Sequence, residues 1–400
     1  MLTINQAIDQ LLQKVSPLSS TESVPLLAAV GRILATDQIS TVDVPPANNS
    51  AMDGYAINID DLSISDSLPI SQTIAAGHPA QALQAQTAAR IFTGAEIPNG
   101  ANAVVMQEHC TVIEENNSAA RVQLPKPVNR HNNIRMRGQD IKSGDCILNQ
   151  GRELRAQDIG LLASVGINNV IVYKKPTVTI LSSGDELVEP GKTLGPAQIY
   201  NSNRYLLRGF LEKMQLNVLD LGVIADNMDA TLAALQTAST ADIIISTGGV
   251  SVGDEDHIKQ AVQQLGAIDF WRIAIKPGKP VAFGQVRGTP FIGLPGNPAS
   301  VFITFLLLAR PLLLTLNNQH YAPFKSKPLI ANFSWRENSK RQEYLRAKIN
   351  NKGSVDIYPN QSSGILTSTV WASGLVVVPA QKAINHGDTI DYIAFDDVPL

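Results

Sequence analysis

A chain of 400 residues that is 44% hydrophobic and 17% charged holds far more apolar material than one small core needs, and predicts roughly two to four globular domains. Its 32 lysines and arginines against 35 aspartates and glutamates leave a net charge of −3. That balance supplies no general basic field for a nucleic-acid backbone, so nucleic acid is not an expected partner. The two cysteines, Cys110 and Cys146, can form neither a disulfide framework nor a structural zinc site, which suits the reducing cytoplasm.

In chain order, Ile4, Ala7, Ile8, Leu11, Leu12 and Val15 share one face of an amphipathic helix, and acidic Asp9 within it argues against a secretory leader. A second helical stretch is predicted over 25–35. From Asp43 the texture changes to short β-type runs at 55–57, 89–92, 103–106 and 122–124, separated by Pro, Gly and Asn. Helical spacing returns at Ala156, Ile159, Leu161, Leu162 and Val165. Residues 44–140 therefore read as a small β domain inserted into a discontinuous, helical linker domain made of 1–43 and 141–175. Over 176–322 strands and helices alternate, and the strands are continuously apolar. This predicts a central three-layer α/β/α domain around a parallel sheet covered on both faces. The greasiest stretch, 301–316, is 16 residues long against the about 20 that span a bilayer, so a buried helix ending near Pro311 is expected and no membrane partner. Residues 323–400 carry only short alternating strands and predict a C-terminal β-barrel-like domain. The fold class is thus multidomain, α/β and β.

The polar motifs fall where loops should leave the strands of the α/β domain, the place where open sheets bind ligands. Ser182-Ser183-Gly184-Asp185-Glu186 places a carboxylate beside backbone-exposing residues, or simply caps a helix. The run from Ser246 through Gly248, Gly249, Ser251, Asp254 and Asp256 to His257 combines glycines that admit close backbone approach with acidic groups able to hold a divalent cation, and a plain strand-to-helix turn explains the glycines equally. It is neither a Walker A loop nor a dinucleotide fingerprint. Lys276-Pro277-Gly278-Lys279-Pro280 sets two cations in a stiff loop, whose repulsion a bound oxyanion would relieve; solvated turn lysines are the alternative. The loop Leu294-Pro295-Gly296-Asn297-Pro298-Ala299-Ser300 precedes an apolar helix and offers free amides and a hydroxyl to an anion. In the inserted unit, 48–56 and 91–95 are polar stretches beside strands, which Asx turns account for without function. The arginines of 133–140 read equally as salt-bridged scaffold. The inserted unit has few apolar residues to spare for a broad core of its own, and its polar loop 49–55 has no obvious partner within its own segment. No histidine stands in a metal-ligand pattern.

Eight ordered motifs, NSAMDGYA at 49–56, FTGA at 92–95, VVMQE at 104–108, NIRMRGQDI at 133–141, SSGDEL at 182–187, GGVSVGD at 248–254, KPGKP at 276–280 and LPGNPAS at 294–300, together resemble the molybdopterin molybdenumtransferase family, which includes the C-terminal domain of gephyrin. The resemblance runs through nearly the whole chain. It implies a four-domain cytoplasmic homodimer with a shared active site, in which the inserted domain of one subunit covers its partner's cleft. The implied substrates are adenylylated molybdopterin and molybdate, with Mg2+ as the cofactor and molybdenum cofactor and AMP as products. Transient contacts with molybdopterin adenylyltransferase and apo-molybdoenzymes are implied as well. Carried over to this sequence, the resemblance assigns catalysis and the metal to Asp53, Glu186, Asp226 and Asp256, and the oxyanion to Lys276, Lys279 and Ser300. Thr93, Asp140, Ser182, Gly248, Gly249, Ser251, Asp254, Pro295 and Pro298 become further substrate contacts, and Arg341, Arg346, Ser362 and Ser363 additional anion contacts. Position 48 is Asn where the family usually shows an acid, so Asn48 is left out of the metal set. Two other functions fit the same fold: a scaffold like the receptor-clustering domain of gephyrin, with a vestigial cleft, and adenylylation of molybdopterin, which would consume ATP.

Overall fold

The computed structural model describes residues 1–114, 120–249, 257–336 and 339–398. It divides into two compact units, one built from Met1–Glu22, Gly31–Ile33 and Val172–Leu400, the other from Ser23–Val30 and Leu34–Ile171.

The smaller unit holds a six-stranded sheet in the order Ala103–Met106, Gly54–Ile57, Ala88–Ile91, Ser67–Ile74, Arg121–Gln123, Thr111–Ile113. Strand alternation sends Tyr55, Ile57, Leu68, Val105 and Val122 into one apolar cluster and Ala56, Ile74, Ala89, Ile91 and Val104 into another. The expectation that this segment has few apolar residues to spare for a broad core of its own is therefore corrected. Its strands bury both faces, and because many of the buried residues are Ala and Val, their small size hid the core from an inventory of large side chains. Beside the sheet, Gln38–Ile39 pairs antiparallel with Cys146–Leu148, and Leu34 and Gly151 bond backbone to backbone with Arg152 and Leu34, so 34–43 and 141–171 pack together. On the helix Ala156–Ser164, burial would raise the Asp158 carboxyl, but hydrogen bonds from Arg155 and Arg152 outweigh it and hold the pKa at about 2.

The helix expected over 25–35 does not form. Thr21–Pro25 is a strand and Leu26–Ala28 a single 3-10 turn. Gly31 sits at φ +76 and Leu27 is left exposed, so apolar residues at helical spacing served a turning chain instead.

The larger unit is built on a second six-stranded sheet, ordered Asn217–Ile224, Thr177–Ser183, Ile243–Thr247, Thr289–Leu294, Pro280–Val286, Gly266–Arg272. The first four strands are mutually parallel, but Pro280–Val286 runs antiparallel to both its neighbours. The expected parallel sheet is thus mixed, because Thr289–Leu294 follows Pro280–Val286 through a tight two-residue hairpin, Arg287-Gly288, too short for a crossover. Ile243 and Ile245 point into one core and Ile244 into the other. Helices Ser202–Lys213 and Ile4–Leu12 and the long helix at 298–316 cover the first face; Met228–Ala238 and His257–Leu265 cover the second. The three layers are as expected, and the N-terminal helix joins the α/β core through Ile4, Ala7, Ile8 and Leu11.

The long helix is buried, as its composition predicts. It does not end at Pro311. Residues Phe305–Ala309 open into a π-helical turn, and Arg310–Leu316 continues beyond it. Proline crowds the carbonyl four residues back, here Leu307, and the wider turn lies where that clash would arise. The C-terminal sheet runs Ile275–Lys276, Gln342–Ile349, Gly374–Val378, Thr389–Ala394, Lys327–Ile330, with Val355–Ile357 added to Gln342–Ile349. Its first strand is borrowed from the lysine loop of the α/β domain.

Candidate anion-binding cleft

Register brings the loops to one edge of the central sheet. Ser182 lies beside Thr247, Thr247 beside Leu294, and Gly293 beside Ala282, so the carboxyl ends of three parallel strands meet the start of the antiparallel one. A cleft of about 640 Å3 opens there. Among the residues assigned from the motifs, Gly248, Gly249, Lys276, Lys279, Pro295, Ser300, Arg341, Ser362 and Ser363 line it.

Each wall has a local cause. Lys276 is fixed because Ile275–Lys276 pairs with Gln342 and Glu343, and its ammonium lies 3.8 Å from the buried Glu343 carboxylate. Lys279 is exposed. Arg341 reaches back to donate to the Ile275 carbonyl at 3.2 Å. Ser300, 3% exposed, sits in the first turn of the long helix. That turn is tied to the C-terminal sheet's loop, since the Ala299 amide donates to the Ser363 carbonyl at 3.0 Å and Asn297 Nδ2 to Ser363 Oγ at 3.1 Å. Three cations and three hydroxyls thus border one concave space, an arrangement that can bind a multiply charged oxyanion through charge-assisted hydrogen bonds.

Gly278 makes the lysine loop's close approach possible. Its φ is +109, and a Cβ there would lie 2.4 Å from the buried Thr304 Cγ2. Gly278→Ala should destabilise the protein by about 1–3 kcal/mol through overpacking and weaken anion binding, read as a lowered thermal midpoint and a raised dissociation constant. Gly144→Ala, at φ +97 with nothing within 4 Å, carries the backbone strain alone and should leave binding unchanged.

Other assignments fall elsewhere. Ser182 is 2% exposed and shares its hydroxyl with Thr247 Oγ1 at 3.1 Å, so it ties two strands beneath the cleft rather than facing a ligand. Pro298 is not in the lining. Arg346 is fully buried; its Nε donates to Ser368 Oγ at 2.9 Å and its Nη2 to the Ser362 carbonyl at 3.0 Å, and burial lowers its pKa to about 10. The direct anion contact assigned to Arg346 is corrected: it supports the Ser362 loop from behind, since burial keeps it from the cleft surface. No helix begins at Ser182-Ser183-Gly184, since Thr177–Ser183 is strand and the next helix starts at Ser202, which removes the helix-cap reading of that motif. Glu186 and Asp226 are exposed and lie outside the cleft's lining. Ser251, Asp254 and Asp256 lie outside the described residues.

In the smaller unit, Asp53 Oδ1 accepts from both the amide and the hydroxyl of Thr93 at 2.8 Å. These bonds hold the Asp53 carboxyl below its ordinary pKa. Ser50 pairs with Ile134, and the Ala51 amide donates to Asn133. The loop at 49–55 therefore does have partners in its own segment, a correction that the non-local pairing explains. Asp140 is exposed, with its amide on the Val44 carbonyl. Of the two arginines beside it, Arg137 is scaffold, bonded to Asp43 at 2.5 Å.

Among the described residues no group of three or more His, Cys, Asp or Glu side chains could hold a metal ion, so the described part of one chain does not by itself fit the implied Mg2+. Sequence reasoning missed Asn297, Gln361 and Glu343. Asn297 and Gln361 stand next to flagged residues and line the cleft. Glu343 gave no signal, because its role depends on the pairing of 275–276 with 342–349.

Three family descriptions match the chain in order: MoeA N-terminal region (domain I and II) over residues 2–166, probable molybdopterin binding domain over 179–315, and MoeA C-terminal region (domain IV) over 328–395. A molybdopterin molybdenumtransferase of Haemophilus influenzae is 39% identical over 99% of both chains, and one of Nostoc sp. is 36% identical over 96% of this chain and 91% of its own. The crystal structure of a molybdopterin biosynthesis moeA protein from Pyrococcus horikosii superposes with a TM-score of 0.83 at 29% identity, covering 99% of each chain. The chain belongs to the molybdopterin molybdenumtransferase family.

Proposed function

We propose that this protein inserts molybdenum from molybdate into adenylylated molybdopterin, releasing AMP and leaving molybdenum cofactor. The observation that carries the reading is the convergence of Lys276, Lys279 and Arg341 with Ser300, Ser362 and Ser363 on one cleft, because a tetrahedral dianion needs fixed cations and donors together. In the reaction each dithiolene sulfur that bonds to molybdenum displaces an oxo ligand, which leaves as water after taking up protons. A separate water cleaves the phosphoanhydride between the pterin phosphate and AMP. The lysines and Arg341 hold the oxyanion while the serines orient its oxygens.

The finer assignments belong to this reading. The Mg2+ requirement rests on Asp53, Glu186, Asp226 and Asp256, with Asp53 supplied by a second copy in a homodimer. Thr93, Asp140, Ser251 and Asp254 serve the pterin substrate. The chain divides into domains 44–140, 176–322 and 323–400 and a linker domain of 141–175 with the later part of 1–43, since the helix Ile4–Leu12 belongs to the α/β core. Handover from molybdopterin adenylyltransferase and to apo-molybdoenzymes takes place in the cytoplasm, where the two free thiols stay reduced.

Purified protein given adenylylated molybdopterin, molybdate and magnesium should release AMP and activate an apo-molybdoenzyme. Chelating the magnesium should stop AMP release, and ATP with unmodified molybdopterin should not be consumed. Folded protein that does neither of the first two sinks the reading; ATP consumption would point to adenylylation instead.

A further inference from the structure

We propose that Glu343 is a positioning residue for Lys276: its buried carboxylate holds the lysine ammonium in place on the cleft wall. The proposal rests on the oxyanion reading of the cleft and deepens it.

Burial, side-chain contacts and backbone pairing each support the link. Glu343 is 2% exposed, and a carboxylate so far from water needs a compensating cation. Its Oε2 accepts from Trp335 Nε1 at 3.2 Å and lies 3.8 Å from Lys276 Nζ. The indole therefore fixes the carboxylate, and the carboxylate in turn fixes the ammonium. The backbone aligns the two residues as well. Lys276 stands opposite Glu343 in a short parallel pairing, and the Gln342 amide donates to the Ala274 carbonyl at 2.9 Å, so the C-terminal sheet grips the lysine loop just before the pair.

At 3.8 Å this contact is an ion pair rather than a hydrogen bond, so the Glu343 carboxylate restrains the ammonium without taking up one of its donors. Lys276 lines the cleft and Glu343 does not. A bound anion would therefore sit closer to the ammonium than to the carboxylate, and attraction by the fixed cation outweighs the more distant repulsion. Without the carboxylate, the four-carbon stem of Lys276 regains rotamer freedom that anion binding must remove again.

Glu343→Gln keeps the shape and an acceptor for Trp335 but removes the charge. Molybdate binding measured by calorimetry should weaken by about tenfold, on the rotamer freedom of an untethered lysine. In a Lys276→Ala background the same change should have no further effect on molybdate binding, since the residue it positions is gone. Trace acetylation with acetic anhydride, read by mass spectrometry on ligand-free protein, gives an independent measure. Released from the carboxylate, the Lys276 stem samples more exposed rotamers, so its amine should react about threefold faster in Glu343→Gln, while Lys279 in the same spectrum stays constant. Wild-type and Glu343→Gln proteins with equal dissociation constants, or losses that add in the double variant, overturn the proposal. If the wild-type protein binds no molybdate, the oxyanion reading fails, and the labelling decides alone: faster Lys276 acetylation upholds the positioning and an unchanged rate refutes it.

Discussion

Lys279→Ala should weaken molybdate binding by roughly 10- to 150-fold, the loss of one charge-assisted contact of about 1.5–3 kcal/mol, while the thermal midpoint stays where it was. The exposed Lys279 makes no ion pair among the described residues, so the fold does not rely on it. Lys276→Ala should cost as much in affinity, but here the structure adds a second effect. The buried Glu343 loses its compensating cation, so the midpoint should also fall, and Glu343→Gln added to Lys276→Ala should bring it back. Calorimetric titration with molybdate beside thermal unfolding of the three variants separates the two effects. A stability loss in Lys279→Ala equal to its loss of binding would make that lysine scaffold and leave the anion without its second cation.

The difference between the two lysines marks where sequence reading stops. The motif at 276–280 announced two cations held close by prolines, and chain order placed them before a strand of the α/β domain. What separates them is the short pairing of Ile275–Lys276 with a strand about seventy residues further on, a contact no local pattern encodes. The same limit explains Arg346. The family resemblance carried an anion contact over to it, and only its burial against Ser368 and the Ser362 carbonyl assigns it to the support. The three layers were legible because strand periodicity and burial agree, as the alternation of Ile243, Ile244 and Ile245 between two cores illustrates. The antiparallel strand was not legible, because a two-residue hairpin and a crossover differ in the length of the connection rather than in the apolar pattern of the strands. At Asp53 the sequence marked the carboxylate but not its holder, since Thr93 lies forty residues on.

On the homodimer proposed above, mixing Asp53→Ala protein with Glu186→Ala protein, each inactive alone, should restore activity once subunits exchange. The loop at 49–55 bonds within its own segment, and Thr93 holds Asp53 in it. With one carboxylate oxygen engaged twice by Thr93 and its pKa lowered, Asp53 is an ionised, fixed group at a surface, whereas the described residues of one chain gather no third ligand around any acidic pair. A cation site that draws Asp53 from one copy and Glu186 from another would satisfy both facts. In a heterodimer, the Glu186→Ala subunit then contributes an intact Asp53 to the cleft of the Asp53→Ala subunit, whose Glu186 is intact, so one of its two sites is whole. Random exchange makes about half the dimers mixed, so about a quarter of all sites should recover, read as AMP release after exchange is verified by mass. If Asp53 and Glu186 serve the same chain's site, every subunit in the mixture still lacks one of them, and activity stays at the level of the parent variants.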